Sequence, residues 1–238
     1  MRILLIGYGK MGQTIERLAL AKGHSIVGTI TAEKAEDLAS FTAEQVDVAI
    51  EFTSPDAAVP NILTCLEKRI PVVVGTTGWL NHLDQVKQQC TQANGSLFYA
   101  SNFSVGVNLF FHFNEYVAQK MQQYPEFAVA VKEIHHVHKL DQPSGTALSI
   151  ADGILKHYPQ KQGWINGPTT EPELLGVESE REGEVVGTHI VQYTSENDTF
   201  ELQHIAHNRE GFAAGALLAA EWLPGRQGVF GMTDLLQL

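Results

Sequence analysis

Met1–Gly12 reads MRILLIGYGKMG, and this stretch decides the fold. Arg2–Ile6 is an apolar run of strand length. Gly7-Tyr8-Gly9-Lys10-Met11-Gly12 follows at once as G-x-G-x-x-G. Met11, Ile15, Leu18 and Ala19 then recur at helical spacing until Gly23. Strand, Gly-rich turn and helix in that order form the context in which this pattern binds a dinucleotide. The first Gly permits the tight turn, the second lets a pyrophosphate approach the backbone, and the third lets helix and strand pack closely. A merely structural Gly-rich turn is the alternative reading.

The same alternation continues outward from this stretch. Ser25–Ile30, Val46–Phe52, Pro71–Val74 and Ser96–Ala100 read as strands, with helices from about Asp56 to Lys68 and from Leu80 to Thr91. Buried apolar strands alternating with helices predict an α/β, doubly wound parallel sheet of the Rossmann type. The pattern then changes. Val105–Tyr124 reads as one long Phe-rich helix, Phe127–Ile134 as a strand and Ser144–Tyr158 as a helix. Thr188–Tyr193 and Thr199–Ala206 suit a hairpin, and Gly211–Leu223 an Ala-rich helix. Residues 159–184, rich in Pro, Gly and charge, read as a long loop. A second, α+β region with a mixed or antiparallel sheet is therefore expected over roughly 105–208.

Composition bounds the function. The chain has 238 residues, 44% of them apolar and 18% charged, enough for a real core and too little charge for disorder. A formal net charge of −11 argues against nucleic acid as a partner, because phosphate binding needs a basic surface. Cys65 and Cys90 lack metal-ligand spacing and suit a reducing compartment. No signal-type apolar segment and no run of membrane length is present, so a cytoplasmic location without membrane attachment is expected.

Two groups of residues carry chemistry. For a dinucleotide, the residue that reads the ribose should end the second strand. Thr31 stands there, followed by Glu33 and Lys34, which leaves NADH and NADPH both open. Gly75-Thr76-Thr77-Gly78 follows the fourth strand, and Ala100-Ser101-Asn102-Phe103-Ser104 the fifth. Both lie at the carboxyl edge of the sheet, where ligands bind in this fold. Farther on, Glu133–Ala147 reads EIHHVHKLDQPSGTA. His135, His136, His138 and Lys139 crowd together just before Ser144-Gly145-Thr146, which opens a helix. A helix N-terminus binds anions, and histidine or lysine beside it can move a proton.

Three readings of that segment compete: a His-His-x-His metal cluster, a solvated loop, and an active site for an anionic substrate. Successive strand residues face opposite ways, which disfavours the metal, and none is expected. An active site requires a bend. In an extended strand His135 and Lys139 would lie roughly 13 Å apart. No job falls to His138 in any of these readings except the metal one.

The chain resembles the dihydrodipicolinate reductase family nearly end to end. The resemblance is carried by GYGKMG, EFTSPDA, VVVGTTGW, SNFSVGVN, EIHHVHKLDQPSGTA, VGTHIV and FAAGALLAAEWL. It implies NAD(P)H-dependent reduction of 4-hydroxy-tetrahydrodipicolinate in the diaminopimelate and lysine pathway. It implies a nicotinamide cofactor held by Gly7–Gly12, by Gly75, Thr76 and Thr77, and by Ala100, Ser101, Asn102 and Phe103. His135 is implied as proton donor and acceptor, Lys139 as proton donor, and His136, Gly145 and Thr146 as holding a small dicarboxylate substrate, with Ser144 at the same helix start. It further implies a dinucleotide-binding domain of residues 1–104 and 209–238. Residues 105–208 would then be a substrate domain whose sheet builds a homotetramer. Thr31 stands where many relatives carry an acid, and Gln142 where a small residue is common.

Overall fold

In the computed structural model, which describes residues 1–238, the chain forms two units. One comprises Met1–Val105 and Glu210–Leu238, the other Gly106–Arg209.

The first unit is built on β1 (Arg2–Ile6), β2 (Ser25–Ile30), β3 (Val48–Glu51), β4 (Val72–Val74) and β5 (Ser96–Tyr99). A further strand, Gly228–Phe230, pairs with β5. The six strands are all parallel, in the order Gly228–Phe230, β5, β4, β3, β1, β2. Period-2 alternation sends apolar side chains to both faces. Leu4 and Ile6 of β1 pack towards α2 (Pro55–Glu67) and α3 (Leu83–Gln92). Ile3 and Leu5 pack towards α1 (Lys10–Ala21) and the helix Glu210–Trp222. All four are essentially inaccessible to solvent, and burying each stabilises the fold by roughly 1.5–3 kcal/mol. The expected doubly wound sheet is therefore present. A 3-10 segment, Ala32–Ser40, lies beyond β2, where sequence periodicity gave no element.

The second unit carries a five-stranded mixed sheet. Its strands are β6 (Ala128–His135), β7 (Gly163–Asn166), β8 (Leu174–Arg181), β9 (Gly187–Thr194) and β10 (Thr199–Ala206), in the order β10-β9-β6-β8-β7. Pairings are antiparallel on the β9 side of β6 and parallel on the β8 side. The sheet packs with α4 (Val105–Met121) and α5 (Gly145–Leu155) through Phe110, Ile150, Ala151 and Ile154.

The expectation of a long loop over 159–184 is overturned, because β7 and β8 lie within it. The cause is visible in β8. Its inward positions run Leu175, Val177, Ser179, Arg181, so hydrophobic alternation stops half-way along the strand. Its partner β7 is a short edge strand with Trp164 and Ile165 exposed. Neither strand has the periodicity that announces one.

Candidate active site

In the first unit, β1 delivers the chain into Gly7, whose φ of +93° is open to glycine and strained for other residues. A Cβ there would fall 1.9 Å from the Phe52 carbonyl oxygen. One on Gly12 would fall 2.3 Å from the Gly7 carbonyl oxygen. Those two glycines therefore serve packing. Gly9 differs, because a Cβ on it would meet no atom within 4 Å. Open space in front of that backbone is what an approaching pyrophosphate requires. Gly9, Lys10 and Met11 line a cavity of about 340 Å³ together with Phe52, Gly75, Thr76 and Thr77. Thr76 is fixed there: its Oγ1 accepts from the Thr53 N–H at 2.7 Å, and its carbonyl accepts from the Trp79 indole at 2.9 Å. The residues fit a dinucleotide.

The other sequence-derived positions fall around this edge with differing roles. The Tyr8 hydroxyl donates to Glu16. Thr31 directly follows β2, and its side chain holds the exposed Glu33 carboxyl below the ordinary range. Ala100, Ser101 and Asn102 follow β5, with Asn102 Oδ1 accepting from the Ser104 N–H at 2.9 Å. Phe103 has its ring turned into the core. It is 2% exposed, stacked on Phe98 and tilted against Phe52 in the core, so only its main chain is available to a cofactor.

Sequence reasoning assigned nothing to Glu51, at the end of β3. Its carboxylate is fully buried, accepting from the Thr53 hydroxyl and, at 3.5 Å, from the Asn61 amide. Burial raises its pKa, against the hydrogen bonds from Thr53, Thr76 and Asn61. Burial likewise pushes the Cys65 thiol up to about 12, and the Cys90 thiol also rises on burial. Neither cysteine has the lowered pKa of a nucleophile.

In the second unit, the buried face of β6 reads Val129, Val131, Glu133, His135. The first two residues continue the apolar core; the last two do not. Register explains what surrounds them. Glu133 lies opposite His189 on β9 and Ser179 on β8, and His135 opposite Arg181. One end of this sheet face is thus apolar and the other is a polar cluster. The N-terminus of α5 sits at the polar end. Ser144 caps it, its Oγ accepting from the Ala147 N–H at 3.1 Å, while its own N–H donates to Glu133 Oε1 at 3.0 Å. By helix geometry the N–H groups of Gly145 and Thr146 have no intrahelical acceptor, and Gly145 is exposed.

Glu133 is the hub. Its Oε2 lies 3.3 Å from His135 Nδ1 and 3.7 Å from His189 Nε2, and its Oε1 3.5 Å from Arg181 Nη2. Burial opposes its ionisation, but the polar groups of His135, Ser144 and Ser179 around it outweigh that, bringing its pKa down to about 2. His189, 5% exposed, is pushed down to about 4, first by burial and then by the charge of His135. It is neutral at pH 7.

The bend demanded by the sequence is present. The Lys139 N–H donates to the His136 carbonyl at 3.1 Å, closing a turn over Val137 and His138. Lys139 Nζ pairs with Asp141 at 2.7 Å. Arg181 ties this loop down by donating to the Asp141 carbonyl at 2.6 Å. Lys139 is near enough to His189 for its charge to be felt there. The three neighbouring histidines do not converge. His135 is buried against Glu133, His136 is half-buried, and His138 is exposed beside Glu184.

Against known proteins, residues 1–103 match the family described as dihydrodipicolinate reductase, N-terminus, and residues 106–236 match its C-terminus. The chain belongs to the dihydrodipicolinate reductase family. It is 44% identical to the 4-hydroxy-tetrahydrodipicolinate reductase of Christiangramia forsetii, covering 99% of this chain and 98% of that one. It is 34% identical to the enzyme of that name from Neisseria gonorrhoeae, covering 94% and 84%. In fold it is similar to a dipicolinate-bound dihydrodipicolinate reductase from Paenisporosarcina sp. TG-14, with TM-score 0.78, 23% identity and 98% of each chain covered. The sequence alone assigns no role to Glu133, which opens EIHHVHKLDQPSGTA, to His189, which lies within VGTHIV, or to Arg181. The one local signal was that Glu133 is two residues before His135 and hence on the same strand face.

Proposed function

We propose that this chain catalyses the NAD(P)H-dependent reduction of 4-hydroxy-tetrahydrodipicolinate (dihydrodipicolinate) to tetrahydrodipicolinate, in diaminopimelate and lysine biosynthesis. The observation that carries this reading is the polar end of the mixed sheet, where His135 is held against an ionised carboxylate beside an open helix N-terminus. Residues 1–104 and 209–238 bind the dinucleotide, through Gly7–Gly12, Gly75, Thr76, Thr77 and the main chain of Ala100–Phe103. Residues 105–208 bind the substrate. When bound, the reduced nicotinamide supplies the hydride. The substrate is a cyclic dicarboxylate with a conjugated C=N, and hydride addition leaves it as an enamine-like anion that must be protonated. His135 delivers that proton. Gly145 and Thr146 receive one carboxylate at the α5 N-terminus, with the Ser144 cap fixing the turn. His136 and Lys139 offset the remaining charge, and Lys139 serves as a second proton donor.

The protein acts as a homotetramer in the cytoplasm. The outer face of the mixed sheet supports assembly: Ala128, Ala130 and Ile134 of β6 and Ile205 of β10 leave apolar surface for another copy to cover. No helix is long and apolar enough to cross a membrane. A semialdehyde dehydrogenase of the phosphorylating kind needs a nucleophilic cysteine, which Cys65 and Cys90 do not provide.

The test is oxidation of NADH and of NADPH by purified protein, coupled to the upstream aldolase product. Turnover with at least one is expected, and none with either would refute the reading. His135→Ala should lower kcat by about 10²–10⁴-fold with cofactor affinity little changed; an unchanged kcat would remove His135 from its role.

A further inference from the structure

The protonating residue needs more than a location. An imidazole has two nitrogens, and the one that meets the substrate must carry the proton when hydride arrives. In this chain the two nitrogens of His135 have different surroundings. Nδ1 is buried and faces Glu133 Oε2 at 3.3 Å. Nε2 lies alongside Gly187, close enough that a Cβ on that residue would come within 3.0 Å of it. A side chain at position 187 would therefore crowd Nε2, and glycine leaves it clear.

We propose that Glu133 is a positioning residue for His135, its buried carboxylate fixing the ring with Nδ1–H inward and so aiming Nε2 at the substrate. This rests on the proton-donor role given to His135 above. Glu133 does not touch substrate or cofactor and takes no proton. In the transfer step the Nε2–H bond breaks and a C–H bond forms on the substrate anion. The electron pair of that bond stays on Nε2, and the neutral ring keeps its proton on Nδ1, facing Glu133.

The surroundings keep this arrangement intact. Glu133 is itself held by the Ser144 N–H and by Arg181, with Ser179 beside it across the β6–β8 pairing. On the β9 side the neighbour is His189, its ring edge-on to His135 at 5.1 Å and its Nε2 3.4 Å from the Ser144 hydroxyl. It is neutral at pH 7, so it does not compete for the carboxylate as a second cation. His204 lies beyond it, and Lys139 contributes the remaining positive charge. Among these groups Glu133 is the one anion in contact with the His135 ring.

Two measurements test the proposal. The first is the tautomer of neutral His135 in the wild-type protein, read from ¹⁵N imidazole shifts with and without pyridine-2,6-dicarboxylate. The Nδ1–H form is expected, and the Nε2–H form would overturn the proposal. The second is the pH profile of kcat/KM. Removing the anion in Glu133→Gln should move the falling limb set by His135 down by about one pH unit or more. That amounts to about a tenfold lower kcat/KM above the limb. Glu133→Asp, which keeps the charge, should restore the limb towards its wild-type position. A lowered melting temperature with an unmoved limb would show that Glu133 only holds α5 and Arg181 in place, and would overturn the proposal. Should Glu133→Gln fail to fold, the wild-type tautomer decides. Absence of turnover would refute the reductase reading without touching the tautomer result, so the two failures are distinguishable.

Discussion

The two ligand-facing regions are made in opposite ways. At the edge of the parallel sheet the site is formed by atoms that are missing: Gly7, Gly12 and Gly75 leave no room for a Cβ, and Gly9 leaves room for a ligand. At the polar end of the mixed sheet it is formed by titratable groups on a strand face that begins as ordinary core. A dinucleotide pyrophosphate asks for close approach of backbone dipoles, which side chains obstruct. A protonation site asks for a group with a set charge and direction, which only side chains supply. The first region should therefore be sensitive to volume and the second to charge.

The largest expected effect separates the glycines from one another. Gly7→Ala places a methyl 1.9 Å from a carbonyl oxygen at a left-handed φ. It should cost on the order of 4 kcal/mol of stability or prevent folding. Gly9→Ala meets nothing within 4 Å. Its melting should stay within about 1 kcal/mol of wild type, while NADH and NADPH bind about tenfold or more weakly. Unchanged cofactor affinity in Gly9→Ala would break the idea of a site made by absence.

Next in size is the response of the second region to acid. The unfolded chain protonates His189 near its ordinary 6.5, whereas the folded chain resists until about 4. The unfolded state binds more protons in between, so stability is full above about 6.5 and falls by about 3 kcal/mol on acidification to about 4. Glu133 adds a further loss from about 4.5 down to about 2, as its depressed carboxylate becomes protonated. Thermal melts between pH 7 and pH 4 should show the first decline, and His189→Gln should flatten it. A decline of the same depth in that variant would assign the pH sensitivity elsewhere.

The smallest effect concerns the helix start. Ser144→Ala removes the cap on the Ala147 N–H and should cost about 1 kcal/mol. If its effect on pyridine-2,6-dicarboxylate affinity exceeds its effect on stability, the Ser144 hydroxyl contributes to the anion site beyond capping.

How much of this was legible in the sequence follows the same division. The glycine cradle was readable because its parts are local, with Gly7, Gly9 and Gly12 close together directly after the short, mainly apolar run of β1. His135, Lys139 and Ser144–Thr146 stand out in the sequence as candidates because they crowd into one segment, and the bend over Val137 and His138 that strand geometry demanded is present. Arg181, His189 and Ser179 were not. They reach Glu133 and His135 only through strand register, which no local pattern encodes. The same residues hid β8, because a strand whose inward positions turn polar half-way along loses the alternation that announces it. The packing of the Phe103 ring was likewise out of local reach, because its partners Phe52 and Phe98 come from other parts of the chain.

β6 is flanked by β9 on one side and β8 on the other, and Lys139 lies past its end in a turn. The two residues proposed to handle protons therefore belong to parts of the unit that open differently. Amides of a central strand exchange with solvent only when the whole sheet comes apart, whereas those of an exposed turn exchange through local fraying. His135 is anchored to a central strand of its sheet, and Lys139 to a turn past the end of that strand. On the proposed reading, Lys139 is thus the one of the pair that can exchange its Asp141 partner for substrate, while His135 stays where the core has put it.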